Sequence, residues 1–125
     1  MEKPRRRDTF YIVLNRWMFL KHKGENIGEY LCARNIRRIA IYGMGDMARH
    51  LWDELKNTKC EVVAVIDSEE KYYYDDIKTI MLAKFNEKVD MIVYIDPLES
   101  VSVIEELNRK CKNVCSLEDV VFYAF

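Results

Sequence analysis

Two apolar spacings alternate along this chain, and together they divide it into helices and strands. Phe10, Leu14, Trp17, Met18 and Lys21 fall at helical spacing. Asp8 or Thr9 is placed to cap the start of that helix. His22-Lys-Gly24 suits its end, with cations in the last turn and glycine just after. Asn26-Ile-Gly-Glu29 has the form of a capping box and opens a shorter helix through Tyr30, Leu31 and Arg34. Residues 1–36 therefore read as an N-terminal helical hairpin set before a second region, 37–125.

In that second region Arg38 to Tyr42 is a short apolar run with a β-branched bias. Met47, Leu51 and Leu55 follow at helical spacing, with Ala48 and Trp52 beside them. Glu61 to Asp67 contains Val-Val-Ala-Val-Ile without a polar break and reads as a fully buried parallel strand. The stretch Ser-Glu-Glu-Lys-Tyr-Tyr-Tyr-Asp-Asp after it is a polar, aromatic connection. Ile77 to Leu82 suits a third strand with a short turn of helix around Lys84 and Phe85, and a helix over 75–86 is the competing reading. The strand is preferred because Asp90-Met-Ile-Val-Tyr-Ile95 follows closely, where a doubly wound half requires its third and fourth strands. Pro97 stops that strand. Val101, Ile104, Leu107 and Cys111 mark an amphipathic helix, Asn113 to Ser116 a last strand, and Ser116-Leu-Glu-Asp119 caps a final helix carrying Val120, Val121 and Tyr123.

The expected fold is α/β: a three-layer unit with about five parallel strands in the order 3-2-1-4-5 and helices on both faces. Right-handed crossovers leave few other arrangements.

Composition narrows the function without naming it. The chain has 125 residues, room for one core but not for a second, catalytic domain. A net charge of −1 supplies no field for nucleic acid, and Arg5-Arg6-Arg7 is short enough to be a solvated tail. No apolar stretch approaches the roughly 20 residues of a membrane helix, and no apolar core with a small-residue cleavage site follows the N-terminus. Cytoplasm is the expected compartment. The four cysteines and two histidines show no zinc-ligand spacing, and a reducing compartment is expected, so neither a metal site nor disulfides are expected. Phe10, Tyr11, Trp17 and Phe19 make the first helix apolar on more than one side, which points to a homodimer through the N-terminal helices.

The candidate chemistry lies in Ile39-Ala-Ile-Tyr-Gly-Met-Gly-Asp-Met-Ala48. Gly43 permits a sharp turn out of the first strand. Gly45 lets backbone approach a pyrophosphate, and Ala48 lets the helix lie close on the sheet. The helix opening at Gly45 or Asp46 aims N–H groups and a positive dipole end at a phosphate. Asp67 lies 22 residues beyond Gly45, near the spacing of a carboxylate that binds ribose hydroxyls. In such a sheet the ligand sits beyond the carboxyl ends of the strands. For this chain that gathers Gly43, Met44, Gly45, Asp46 and Met47 with Asp67, Ser68 and Asp96. Met44 is compatible with an adenine or sugar edge, whereas Tyr42 is bulky for its place and suits packing under the helix. An ionised Asp67 suits a ribose diol and repels a 2′-phosphate, which favours NAD over NADP. No nucleophile elbow, His/Cys pair or carboxylate pair is evident, and Tyr72-Tyr-Tyr74 beside Asp75 reads as surface packing. Binding, not turnover, is the expected chemistry.

Five segments carry a resemblance: Leu14-Asn-Arg-Trp17, Ile27-Gly-Glu-Tyr-Leu31, Ile39 to Gly45, Val65-Ile-Asp67 and Ser116-Leu-Glu-Asp-Val120. They look like a group of small bacterial Rossmann-like proteins. That group resembles the nucleotide-binding halves of nucleotide-sugar epimerases and dehydratases, and the N-terminal domains of sugar acetyltransferases. The resemblance implies a module for NAD(H) or a nucleotide sugar, tied to surface polysaccharide metabolism. Gly43, Gly45 and Asp67 match the dinucleotide motif, with Ala48 in place of the third glycine. The activity of the epimerases is not carried over to this chain. The alternative is a protein-interaction or dimerisation domain that retains the turn and binds no nucleotide.

Overall fold

Side-chain caps and glycines set the helix ends of this chain. The structure, a computed structural model, describes residues 6–43, 45–67, 72–73 and 77–123. Helix α1 spans Arg6–His22, so Asp8 and Thr9 lie inside its first turns and do not cap it. Asp8 there favours the dipole without serving as N-cap. The end of α1 is as expected: Gly24 has φ +80°, its N–H donates to Lys21 O at 3.0 Å, and Glu25 N–H donates to Leu20 O at 3.0 Å. This is a Schellman closure around a left-handed glycine. Helix α2 (Ile27–Cys32) is capped by Asn26, whose Oδ1 accepts from Glu29 N at 3.0 Å. It ends the same way, with Asn35 at φ +62° and Ile36 N–H donating to Leu31 O at 3.0 Å.

The sheet follows in the order the apolar runs dictate. β1 (Arg38–Tyr42) leads through α3 (Asp46–Lys56) to β2 (Glu61–Asp67). β3 (Tyr72–Tyr73) and β4 (Ile77–Met81) come next, then a single 3-10 turn over Leu82–Lys84 and β5 (Met91–Tyr94). α4 (Val101–Lys110), β6 (Val114–Ser116) and α5 (Leu117–Tyr123) complete the chain. Strands stand in the order β3-β4-β2-β1-β5-β6. All neighbours are parallel except β3, which pairs antiparallel with β4 through Tyr72↔Lys78 and Tyr73↔Ile77. The five parallel strands thus have the expected 3-2-1-4-5 order, and Ile77–Met81 is a strand, not part of a helix.

Two apolar layers flank the sheet. On one side α1, α2, α3 and α5 share a core that includes Trp17, Leu31, Leu51 and Val121 with Ile39, Ile41 and Val93 of the strands. The N-terminal helices belong to this core, not to a separate one. Buried Glu54 fastens them: its Oε1 accepts from Trp17 Nε1 at 2.9 Å and Lys21 Nζ at 2.9 Å, and its Oε2 from Ile27 N at 2.7 Å. On the other side α4 delivers Leu107 and Cys111, and the segment after β4 delivers Phe85, over Ala40, Ile66 and Ile92. A short segment with a single 3-10 turn and one fully buried phenylalanine thereby fills the crossover from β4 to β5.

Three expectations are corrected here. β2 is not fully buried, because Val62, Val63 and Ala64 are half-buried. Its outer neighbour β4 pairs only with Val65–Asp67, which leaves the first half of β2 as a sheet edge. The pairing of β1 with β2 also shifts between Ile39 and Ala40, where Ile39↔Val62 is followed by Ala40↔Ala64. This bulge turns Val63 and Ala64 both toward the α4 side. The tyrosine-rich connection contains a short edge strand, consistent with the β-propensity of tyrosine. In α4 the inward stripe runs through Val103 and Leu107 to Cys111, and Val101 is exposed.

Candidate nucleotide site at the carboxyl ends of the strands

Two glycines shape the turn between β1 and α3. Gly43 has φ +118°, and its N–H donates to Ile66 O of β2 at 2.9 Å. On the other flank Ile95 N–H donates to Tyr42 O at 3.0 Å. A Cβ on Gly43 would stand 3.2 Å from Ile95 Cβ, so both backbone conformation and close packing require glycine. This contact lies where the strand order reverses, between β1 and β5, the place where open α/β sheets hold their ligands. Gly45 has φ +104°, but a Cβ there would meet nothing within 4 Å among the described residues. Its glycine answers to backbone conformation.

Gly45 is the N-cap of α3 and brings no side-chain acceptor to the first turn. The starts of α2, α4 and α5 are built differently. Asn26 caps α2, Ser100 Oγ accepts from Val103 N at 3.3 Å in α4, and Ser116 Oγ accepts from Asp119 N at 2.9 Å in α5. At α3 the acidic residue of the first turn is the exposed Asp46. Met47 and Ala48 are buried in the α3-side core, so Met47 offers a ligand its backbone and not its thioether.

The carboxylates stand around this turn. Asp67 ends β2 one residue beyond the Tyr42↔Ile66 pair, level with Gly43, and is half-buried. Asp96 Oδ1 accepts from Leu98 N at 2.9 Å, so this carboxylate shapes the turn into α4. Met44 and Ser68 lie outside the described residues. Tyr42 packs with the α4-side cluster, opposite α3, and so does not lie under that helix. Burial, and then the charges of Glu99, Asp67 and Glu106, push its hydroxyl above the ordinary tyrosine range. Glu99 and Glu106 thus belong to the surroundings of the site, which sequence spacing did not indicate. Their only signal was the acidic character of the segment after Asp96.

Among the described residues no three His, Cys, Asp or Glu side chains come together to hold a metal ion. A separate cavity of about 250 Å³ lies between α1 and α3, with Trp17, Met18, Lys21, His50 and Glu54 in its walls. No helix among the described residues is long and apolar enough to cross a membrane. Comparison with family models, curated proteins and solved structures finds no match to the chain.

Proposed function

We propose that this protein binds NAD(H) or a nucleotide sugar at the carboxyl ends of β1, β2 and β5. The observation that carries the reading is Gly45. It holds a left-handed backbone and supplies no side-chain cap to α3, and among the described residues nothing fills the place where a pyrophosphate would meet the helix N-terminus. Asp67 then accepts hydrogen bonds from a ribose diol, and Gly43 keeps the crevice at β5 in shape. The negative surroundings of Tyr42 disfavour a 2′-phosphate, so NAD is preferred to NADP. The resemblance to nucleotide-sugar enzymes makes a nucleotide sugar the second ligand class and bacterial surface polysaccharide metabolism the context, in the cytoplasm. The test is a ligand panel read by melting temperature. NAD or a uridine diphosphate sugar raises it, by an amount equivalent to about 2.7 kcal/mol at a hundredfold excess over Kd. If no nucleotide moves the melting point at millimolar concentration, the reading fails.

A second reading, association through α1, rests on its solvent face. Tyr11, Ile12, Met18 and Phe19 are exposed, while Val13, Trp17 and Leu20 are buried. The exposed four stand three and four residues on either side of exposed Asn15. Two copies of α1 packed antiparallel about a two-fold axis would set Asn15 against itself, Tyr11 against Phe19 and Ile12 against Met18. Such a stripe is self-complementary, the requirement of an isologous dimer. This association uses the exposed face of α1 and not the turn between β1 and α3.

A further inference from the structure

Two cysteines far apart in sequence meet at the opposite end of the sheet from the nucleotide crevice. Cys32 is the last residue of α2 and Cys60 stands directly before β2. Their Sγ atoms are 3.0 Å apart, so about 1 Å of approach would complete a bond of about 2.05 Å. The two thiols are not equivalent. Cys60 is buried, with Sγ 3.3 Å from Gly28 O and 3.5 Å from Ile36 O. Burial, reinforced by its contact with Cys32, pushes its thiol up to about 12. Cys32 is only half-buried and opens on a groove of about 660 Å³ whose walls include Arg37, Thr58 and Lys59. Access separates the two sulfurs: Cys32 lines the groove, with Glu29 also in its wall, and Cys60 is buried behind it.

We propose that Cys32 and Cys60 are a redox pair that a hydroperoxide converts to a reversible disulfide joining α2 to the start of β2. The Cys32 thiolate attacks the terminal peroxide oxygen. The O–O bond breaks, the alcohol or water leaves with a proton, and Cys32 becomes a sulfenic acid. Cys60 sulfur then attacks Cys32 sulfur, the S–O bond breaks, and hydroxide leaves as water with the Cys60 proton. Two thiols and one hydroperoxide give one disulfide, one alcohol and one water, with two electrons passing from sulfur to oxygen. Exposure decides the order: Cys32 is attacked first and Cys60 resolves. In a reducing compartment the pair rests as dithiol, and the disulfide is transient. This inference is independent of nucleotide binding.

The experiment treats the reduced full-length chain with equimolar hydrogen peroxide, alkylates the remaining thiols and maps the digested peptides by mass. The expected product is a Cys32–Cys60 cross-linked peptide, about 2 Da lighter than the two reduced peptides together. Dithiothreitol should abolish it, and Cys111 and Cys115 should remain alkylated. In Cys60→Ser the reaction should stop at a Cys32 sulfenic acid that dimedone labels. In Cys32→Ser, Cys60 should stay unlabelled. A Cys111–Cys115 cross-link in its place, overoxidation of Cys32 in the wild-type chain without a cross-link, or equal labelling of all four cysteines would overturn the proposal.

Discussion

Trp17 on α1 donates its indole N–H at 2.9 Å to Glu54 on α3, and that one carboxylate also receives the Lys21 ammonium and the Ile27 N–H. The exposed end of Lys21 adds little, since a solvated cation is screened. The two buried N–H donors matter more, because each would lose its partner with Glu54 removed. Glu54→Ala should destabilise the chain by about 2–4 kcal/mol, and Glu54→Gln, which retains one acceptor oxygen, by roughly half of that. Urea denaturation measures both; equal stability of all three chains would show that the N-terminal helices are held by apolar contact alone.

Gly28 is required for a different reason than the turn glycines. A Cβ there would lie 2.5 Å from Thr58 Oγ1, 2.6 Å from its Cγ2 and 2.9 Å from its Cβ. Thr58 is held in turn by bonds to Leu55 O and Cys60 N. Gly28→Ala should cost about 1–3 kcal/mol by overpacking, and markedly less in a Thr58→Gly background. The same cost in both backgrounds would rule out this contact as the cause.

Much of the fold was legible because it depends on period and spacing. The glycines at 43 and 45, the small Ala48 and the carboxylate at 67 placed β1, α3 and β2. The nearness of Asp90 to Ile77–Met81 selected a strand over a helix. The Val63 bulge left no mark, since Val62 to Ile66 is uniformly apolar and period says nothing about which face each residue takes. The side taken by Tyr42, and the acidic neighbours Glu99 and Glu106, depend on how α4 returns over the sheet. The 3.0 Å approach of Cys32 to Cys60 joins residues 28 apart, a tertiary fact that neither local pattern contains.

Asp90 Oδ2 accepts from Arg37 N and Arg38 N, each at 2.9 Å, and joins the start of β1 to that of β5. The Arg38 N–H, then the Arg37 N–H, holds this carboxyl below the usual carboxylate range. A pKa lowered on folding stabilises above the unfolded value and is lost as pH falls through the folded one. Because the group is exposed, Asp90→Ala should cost only about 0.5–1 kcal/mol at neutral pH. That difference should shrink below about pH 4. A pH-independent difference in denaturation midpoint would contradict the ionic origin.

Sedimentation equilibrium should find the chain at twice its 15.0 kDa mass at micromolar concentration. Phe19→Glu should lower association at least tenfold. Tyr11→Lys mixed with Phe19→Glu should recover a heterodimer, since the proposed antiparallel pairing of α1 would set residue 11 of one copy against residue 19 of the other. A monomeric wild-type chain would sink this reading of the exposed stripe.

The most direct test of the account is calorimetric titration of NAD into the full-length chain, repeated with Gly45→Val and Asp67→Ala. The account predicts one saturable site per chain. Gly45→Val should abolish binding; φ +104° strains a valine at the turn, and circular dichroism should show most of the fold retained. Asp67→Ala should weaken NAD by about tenfold, the loss of roughly 1.4 kcal/mol, and narrow the preference over NADP. Binding to Gly45→Val with unchanged affinity, or no binding of NAD or nucleotide sugars to the wild-type chain at millimolar concentration, would contradict it.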